Sequence, residues 1–145
     1  MKACGVYERG GKLLVQASSR TDQGVWILDG DVFELASDAD EEALGQVVST
    51  ALQQSSTVPH PTQWGGLMKP LLTKAGVKSW RTFVRGTRCV RVKSERGGWT
   101  ALPYRNLGPS EGFEEILGVE IAVSPNGSAA ALGRAVREAL EVALS

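Results

Sequence analysis

Short β-type runs give way to helical spacing twice along this chain. Residues 3–9 and 12–19 read as strands flanking Gly10-Gly11, a two-residue turn suited to positive φ. Val25-Trp26-Ile27-Leu28 and Val32-Phe33-Glu34-Leu35 flank Asp29-Gly30-Asp31, which reads as a second hairpin. Apolar residues then recur at helical spacing, at Leu44, Val47, Val48, Ala51 and Leu52, giving one apolar helix face. Ser37, Asp38 or Asp40 caps this helix, and Glu41 and Glu42 favour its positive dipole end.

The order returns in the second half. Arg88–Ser94 alternates apolar Val90 and Val92 with Arg91 and Lys93, and Glu95-Arg96-Gly97-Gly98 turns the chain into Trp99–Pro103. Phe113–Ile116 and Val119–Val123 supply two more strands. Asn126 or Ser128 caps a closing helix whose stripe is Leu132, Ala135, Val136, Ala139, Leu140, Ala143 and Leu144.

Two stretches match outright. Glu8-Arg9-Gly10-Gly11 recurs at 95–98, and Ala43–Leu52 recurs as Ala131–Leu140 with six of ten positions identical. The order and near-equal spacing predict one unit used twice. The fold class expected is α+β: a duplicated ββββα unit, with repeat 1 at about 3–55 and repeat 2 at about 88–145. Residues 56–87 are then a helical insertion, with helices over Leu67–Ala75 and, capped by Ser79, Trp80–Arg85. At 145 residues the whole is one domain. Gly45 and Gly133 fall at matched positions inside helices, where glycine costs about 1 kcal/mol relative to alanine. Close backbone approach, helix to helix or helix to sheet, is the expected compensation.

Composition excludes more than it selects. Net charge is zero and no apolar run approaches the ~20 residues of a membrane span. The first residues meet a charge pair too early for a signal peptide, so a cytoplasmic location is expected. Cys4 and Cys89 read as two small buried residues.

Charge is nevertheless segregated. Residues 1–60 hold nine acids against four bases, 61–110 hold ten bases against one acid, and 111–145 hold six acids against two bases. Either the surface is bipolar, or folding interleaves the segments. Side-by-side copies predict the second, with acidic and basic strands neutralising each other.

Reactive groups give no catalytic constellation. His60, the only histidine, lies between two prolines on an expected solvated loop. No cysteine or histidine pair has zinc spacing, and Asp38, Asp40, Glu41 and Glu42 lack a calcium-loop pattern. The glycine pairs lack a phosphate-cradle frame and the serine pairs a nucleophile elbow. Neither a catalytic residue nor a cofactor nor a metal is expected. Trp80, Arg81, Arg85, Arg88, Arg91 and Lys93 suit stacking on single-stranded nucleic acid. Against that, Trp80 and Phe83, three apart, predict a buried helix face with arginines outside.

The stretch Met68-Lys69-Pro70-Leu71-Leu72-Thr73-Lys74-Ala75-Gly76-Val77-Lys78-Ser79-Trp80-Arg81-Thr82-Phe83, the Leu44-Gly45 helix ending Ala51-Leu52-Gln53-Gln54-Ser55, Phe113 and the closing Leu132-Gly133 helix resemble the immunity proteins of bacterial contact-dependent growth inhibition systems. The resemblance implies a non-enzymatic cytoplasmic protein that binds and neutralises the C-terminal toxin domain of a cell-surface effector, often a nuclease. The repeated plan also resembles, in topology only, the Whirly fold of single-stranded DNA-binding proteins; nucleic-acid binding is the alternative reading. A nuclease cleft is basic because it holds phosphates, so the expected toxin contacts are Asp22, Asp29, Asp31 and Glu34.

Overall fold

The computed structural model describes residues 1–124 and 126–144. Its elements are β1 (Lys2–Arg9), β2 (Lys12–Thr21), β3 (Trp26–Ala36), α1 (Glu41–Gln54), β4 (Thr57–Val58), α2 (Lys69–Ala75), α3 (Trp80–Val84), β5 (Arg88–Glu95), β6 (Gly98–Asn106), β7 (Phe113–Glu115), β8 (Ile121–Val123) and α4 (Ala129–Val142). All eight strands join one sheet in the order β3-β2-β1-β5-β6-β7, with β8 also on β6 and β4 on β2. Pairing is antiparallel except for the short β2–β4 contact.

The two central strands meet about a symmetric register. Gly5 lies opposite Arg91, with Val6 opposite Val90 and Cys4 opposite Val92. Both flanking hairpins use two-residue turns with positive φ: Gly10 and Gly11 at 56° and 79°, Arg96 and Gly97 at 55° and 78°. The matched turn residues are thus 10–11 and 96–97, one residue out of step with the matched Glu-Arg-Gly-Gly motif.

The expected hairpin at Asp29-Gly30-Asp31 does not form. The chain runs through it as one bent strand, β3, whose register against β2 shifts between Gln16 and Ser18. The turn-like residues make a bulge instead. Gly30 takes a φ of 83°. The backbone groups freed from the ladder find side-chain partners: Gln16 Nε2 donates to the Gly30 carbonyl at 3.1 Å and the Asp31 N–H donates to Gln54 Oε1 at 2.8 Å. The first half therefore sets three long strands before its helix, where four were expected. The second half places four, because β7 and β8 divide the matching edge of β6 between them.

Helices α1 and α4 lie together over one face. Asp40 caps α1 by accepting from the Ala43 N–H at 2.7 Å, and Ser128 caps α4 by accepting from the Ala131 N–H at 3.1 Å. Beneath them Cys4, Val6, Leu13, Val15, Val90, Val92 and Ala101 meet Leu44, Val48, Leu132 and Val136 in the main core. Of the expected α4 stripe, only Leu144 stays exposed. On the opposite face α2 and α3 cover a smaller cluster around Tyr7, Leu14, Leu71, Phe83 and Cys89. The two thiols thus point into different cores on opposite faces of the sheet and are free.

Candidate functional site

Strand alternation decides what the second face offers. Even-numbered positions of β2 and odd-numbered positions of β1 and β5 point away from α1 and α4. Helices α2 and α3 close over Tyr7, Leu14 and Cys89 and leave the neighbouring rows, Gly5, Ser18, Arg91 and Lys93, uncovered by a helix. Gly5 contributes no side chain there; a Cβ on it would sit 2.8 Å from the Tyr7 hydroxyl oxygen. The result is a trough with a cavity of about 180 Å³ lined by Gly5, Tyr7, Ser18, Trp26, Arg91 and Tyr104, among others.

Arg91 reaches across this trough. Its guanidinium carbon stands 5.0 Å from the centroid of the Trp26 ring, a cation–π contact between β5 and the edge strand β3. Burial raises the Tyr104 phenol, and the nearby Arg91 guanidinium opposes the rise. Nε and Nη2 of Arg91 are shielded and meet no acceptor.

The acidic residues expected at the interface all fall on β3 or the turn before it, at the open edge of the sheet. Each is engaged within the molecule. Asp22 Oδ1 accepts the His60 N–H at 3.2 Å, and Asp29 Oδ2 accepts the Ser19 hydroxyl at 2.7 Å. Asp31 Oδ2 accepts from Gln54 Nε2 at 3.0 Å, and Glu34 pairs with Lys12 at 3.6 Å. Asp31 and Glu34 remain exposed while Asp29 is half-buried. Charges along an edge strand also discourage edge-to-edge pairing with another sheet.

The six residues singled out for nucleic acid are not gathered into one site. Trp80 stacks on Phe83 with centroids 5.4 Å apart and meets Phe113 edge-on at 6.1 Å, so its ring belongs to the smaller core. Arg81 and Arg85 are exposed on or just after α3, Arg88 pairs with Glu8 at 4.0 Å, and Arg91 and Lys93 lie half-buried on the open face. The aromatic partner of Arg91 is Trp26, not Trp80. Sequence reading missed that pair because the two residues are far apart in the chain. The pairing β3-β2-β1-β5 brings them together, and no local pattern in the sequence marks it.

Ion pairing between neighbouring strands, expected from side-by-side copies, is sparse. Among the described residues, only Arg88 and Arg105 of the ten bases between 61 and 110 pair with a carboxylate within 4.0 Å. Helix α2 packs beside the acidic edge strand β3, and its Lys69 and Lys74 line a shallow cavity with Asp31, yet neither lysine comes within ion-pair distance of that carboxylate. His60 is not a solvated loop residue either. Its Nδ1 lies 3.0 Å from Thr21 Oγ1, and its ring meets Trp64 edge-on at 5.2 Å. Because Thr21 Oγ1 already accepts two backbone N–H groups, from Gln23 and Val25, its own proton goes to Nδ1. His60 pins the insertion to the end of β2. Among the described residues no three His, Cys, Asp or Glu side chains converge as a metal site, and no helix is long and apolar enough to cross a membrane.

A small α+β domain with two helices on one sheet face, and a partly open, charged second face, is what these features define. The family model for the CDI immunity protein, CdiI, matches residues 29–143, and the chain belongs to that family. Two solved structures share the fold. One is a protein of unknown function from Neisseria meningitidis, with a TM-score of 0.81 and 20% identity over 98% of this chain and 94% of that one. The other is a CdiA-CT/CdiI toxin and immunity complex from Yersinia pseudotuberculosis, with a TM-score of 0.79 and 17% identity over 98% and 97%. A comparison with curated proteins gives no match.

Proposed function

We propose that this immunity protein binds and neutralises, one to one, the C-terminal toxin domain of a contact-dependent growth inhibition effector in the cytoplasm, and that the toxin is a nuclease. The family match over residues 29–143 carries the reading. The fold shared with a chain of a toxin–immunity complex supports it. The inhibitor works by occlusion: a rigid sheet covers the toxin, and a standard interface buries roughly 1,600 Å² in total.

The acidic edge is the side offered to a basic nuclease cleft. Asp29, Asp31 and Glu34 lie along β3 and Asp22 in the turn before it, so this edge of the sheet concentrates negative charge. The same reading takes residues 1–145 as one domain built from two related copies, at about 3–55 and 88–145, with 56–87 inserted; the four-strands-then-helix plan is met in the second copy, and the first has three strands before its helix. The matched turns and the matched helix glycines support it.

Co-expression with the toxin domain encoded immediately upstream tests the function. Growth rescue and co-purification in equal amounts are expected. Failure to rescue cells from a toxin shown to be active overturns the reading. Single-stranded nucleic-acid binding is the second reading, favoured by those bases of the insertion and β5 that have no carboxylate within 4.0 Å among the described residues. It requires affinity that falls with salt by roughly 0.7 log units per log unit for each phosphate contacted.

A further inference from the structure

The trough on the open face contains an unmet electrostatic demand. Two N–H-bearing nitrogens of Arg91 face neither water nor an acceptor, a costly arrangement for a guanidinium. Among the described residues no carboxylate lies within 4.0 Å of it. Yet the surroundings hold the group in place: Trp26 stacks on it, and Gly5, directly opposite in the β1–β5 register, lines the same cavity, with the Tyr7 ring lying over it. The cavity, about 180 Å³, is smaller than the ~300–1,000 Å³ of small-molecule sites. It is the size of one inserted side chain.

We propose that this cavity anchors the toxin interface by taking a single carboxylate side chain of the toxin domain, clasped by the Arg91 guanidinium with Trp26 as its platform. The proposal rests on the toxin-binding reading above. The planar fork of arginine matches a carboxylate with two parallel hydrogen bonds. An arginine and a tryptophan at the centre of a half-closed trough are also the residue types that dominate binding energy. Charge selects the occupant. The edge strand that carries Trp26 also carries Asp29, Asp31 and Glu34, which repel a continuous phosphate backbone. A protein surface that brings one carboxylate among basic groups meets both signs favourably.

The test is calorimetric binding of the toxin domain to the intact protein and to Arg91→Gln, Arg91→Lys and Trp26→Leu, with melting curves for each. Arg91→Gln is expected to weaken binding by roughly 30-fold or more. Arg91→Lys recovers only part of that, because the fork is lost. A scan converting each Asp and Glu of the toxin to its amide is expected to find one substitution of similar cost, with no added loss when combined with Arg91→Gln. Unchanged affinity in folded Arg91→Gln overturns the proposal. If that variant does not fold, the scan decides: a toxin in which no single carboxylate matters overturns it equally. Labelled single-stranded DNA that binds the intact protein but not Arg91→Gln assigns the trough to nucleic acid and also overturns it. Absence of any toxin binding to the unaltered protein removes the function proposed above, and this anchor with it.

Discussion

Gly45 and Gly133 face each other's helices at a single crossing. A Cβ on Gly45 would lie 1.7 Å from the carbonyl oxygen of Ala129, and a Cβ on Gly133 would lie 1.8 Å from that of Glu41. Ala129 is four residues before Gly133 and Glu41 is four residues before Gly45, so each glycine receives the turn that precedes the other. No side chain can yield here, because the obstructing atoms are backbone. The two helices must separate if either position gains a methyl group.

Gly45→Ala and Gly133→Ala are therefore expected to destabilise the fold. Each would gain about 1 kcal/mol of helix propensity at an unconstrained site. The clash reverses the sign, for a net loss of roughly 2–3 kcal/mol and a melting temperature lower by roughly 5–12 °C. Once one helix has moved, the second substitution meets less resistance, so the double variant should lose less than the sum of the two. Thermal melts by circular dichroism check this; an unchanged or raised melting temperature in either single variant contradicts the crossing.

A close approach at both glycines is legible in the sequence, because a glycine inside a good helix has few explanations, but whether the neighbour is a helix or the sheet is not. The Gly10-Gly11 turn and the apolar stripes are legible for a local reason, and the caps only as short sets of candidates that include Asp40 and Ser128. Asp29-Gly30-Asp31 misleads because glycine serves a bulge as well as a turn. What separates the two outcomes is a pair of glutamine side chains, Gln16 and Gln54, one on the adjacent strand and one at the end of α1. The open-face pair Trp26–Arg91 is out of reach, since it depends on which strands become neighbours. The fate of the basic charge is also non-local: it turns on which way the inserted helices face.

Arg96 carries a backbone conformation made for another residue. It is the non-glycine residue with positive φ among those described, at 55°, in the turn position that Gly10 fills in the first hairpin. A left-handed conformation costs an ordinary side chain roughly 1–2 kcal/mol, and asparagine tolerates it better. Arg96→Asn is expected to stabilise the protein by about 0.5–1 kcal/mol. Urea unfolding with an unchanged slope and a higher midpoint would establish it.

Burial pushes both thiols, Cys4 and Cys89, from an ordinary 9.0 up to about 12. The folded state therefore keeps protons that the unfolded chain releases. Stability from this source is fully present below about pH 9 and is lost as pH rises toward 12. Burial raises the Tyr7 phenol as well, in the same direction. The melting temperature is expected to be insensitive to these groups at neutral pH and to fall steeply above pH 9. Replacing both cysteines with alanine should flatten that fall only in part. Iodoacetamide at pH 8 should label the native thiols roughly a hundredfold or more slowly than the urea-unfolded chain; fast native labelling contradicts the burial.

The acidic edge makes a kinetic prediction that the Arg91 anchor does not. Asp31 and Glu34 are exposed and act on an approaching partner through long-range charge, whereas Asp29 is tied to Ser19 and its reversal would disturb β3. Asp31→Lys with Glu34→Lys is the cleaner change, because Gln54 still meets the backbone N–H at position 31 and the Lys12–Glu34 pair is exposed, so its loss costs about 0–1 kcal/mol. If the partner presents a basic cleft, this reversal should slow association by about tenfold or more at low salt, with a smaller effect on dissociation. The difference should shrink as salt rises, since the Debye length falls from about 30 Å at 0.01 M to about 8 Å at 0.15 M. Stopped-flow association with the toxin domain at those two ionic strengths gives the answer. A rate unchanged by the double reversal at low salt would mean that the toxin approaches from another side, and that the carboxylates of β3 serve the sheet edge alone.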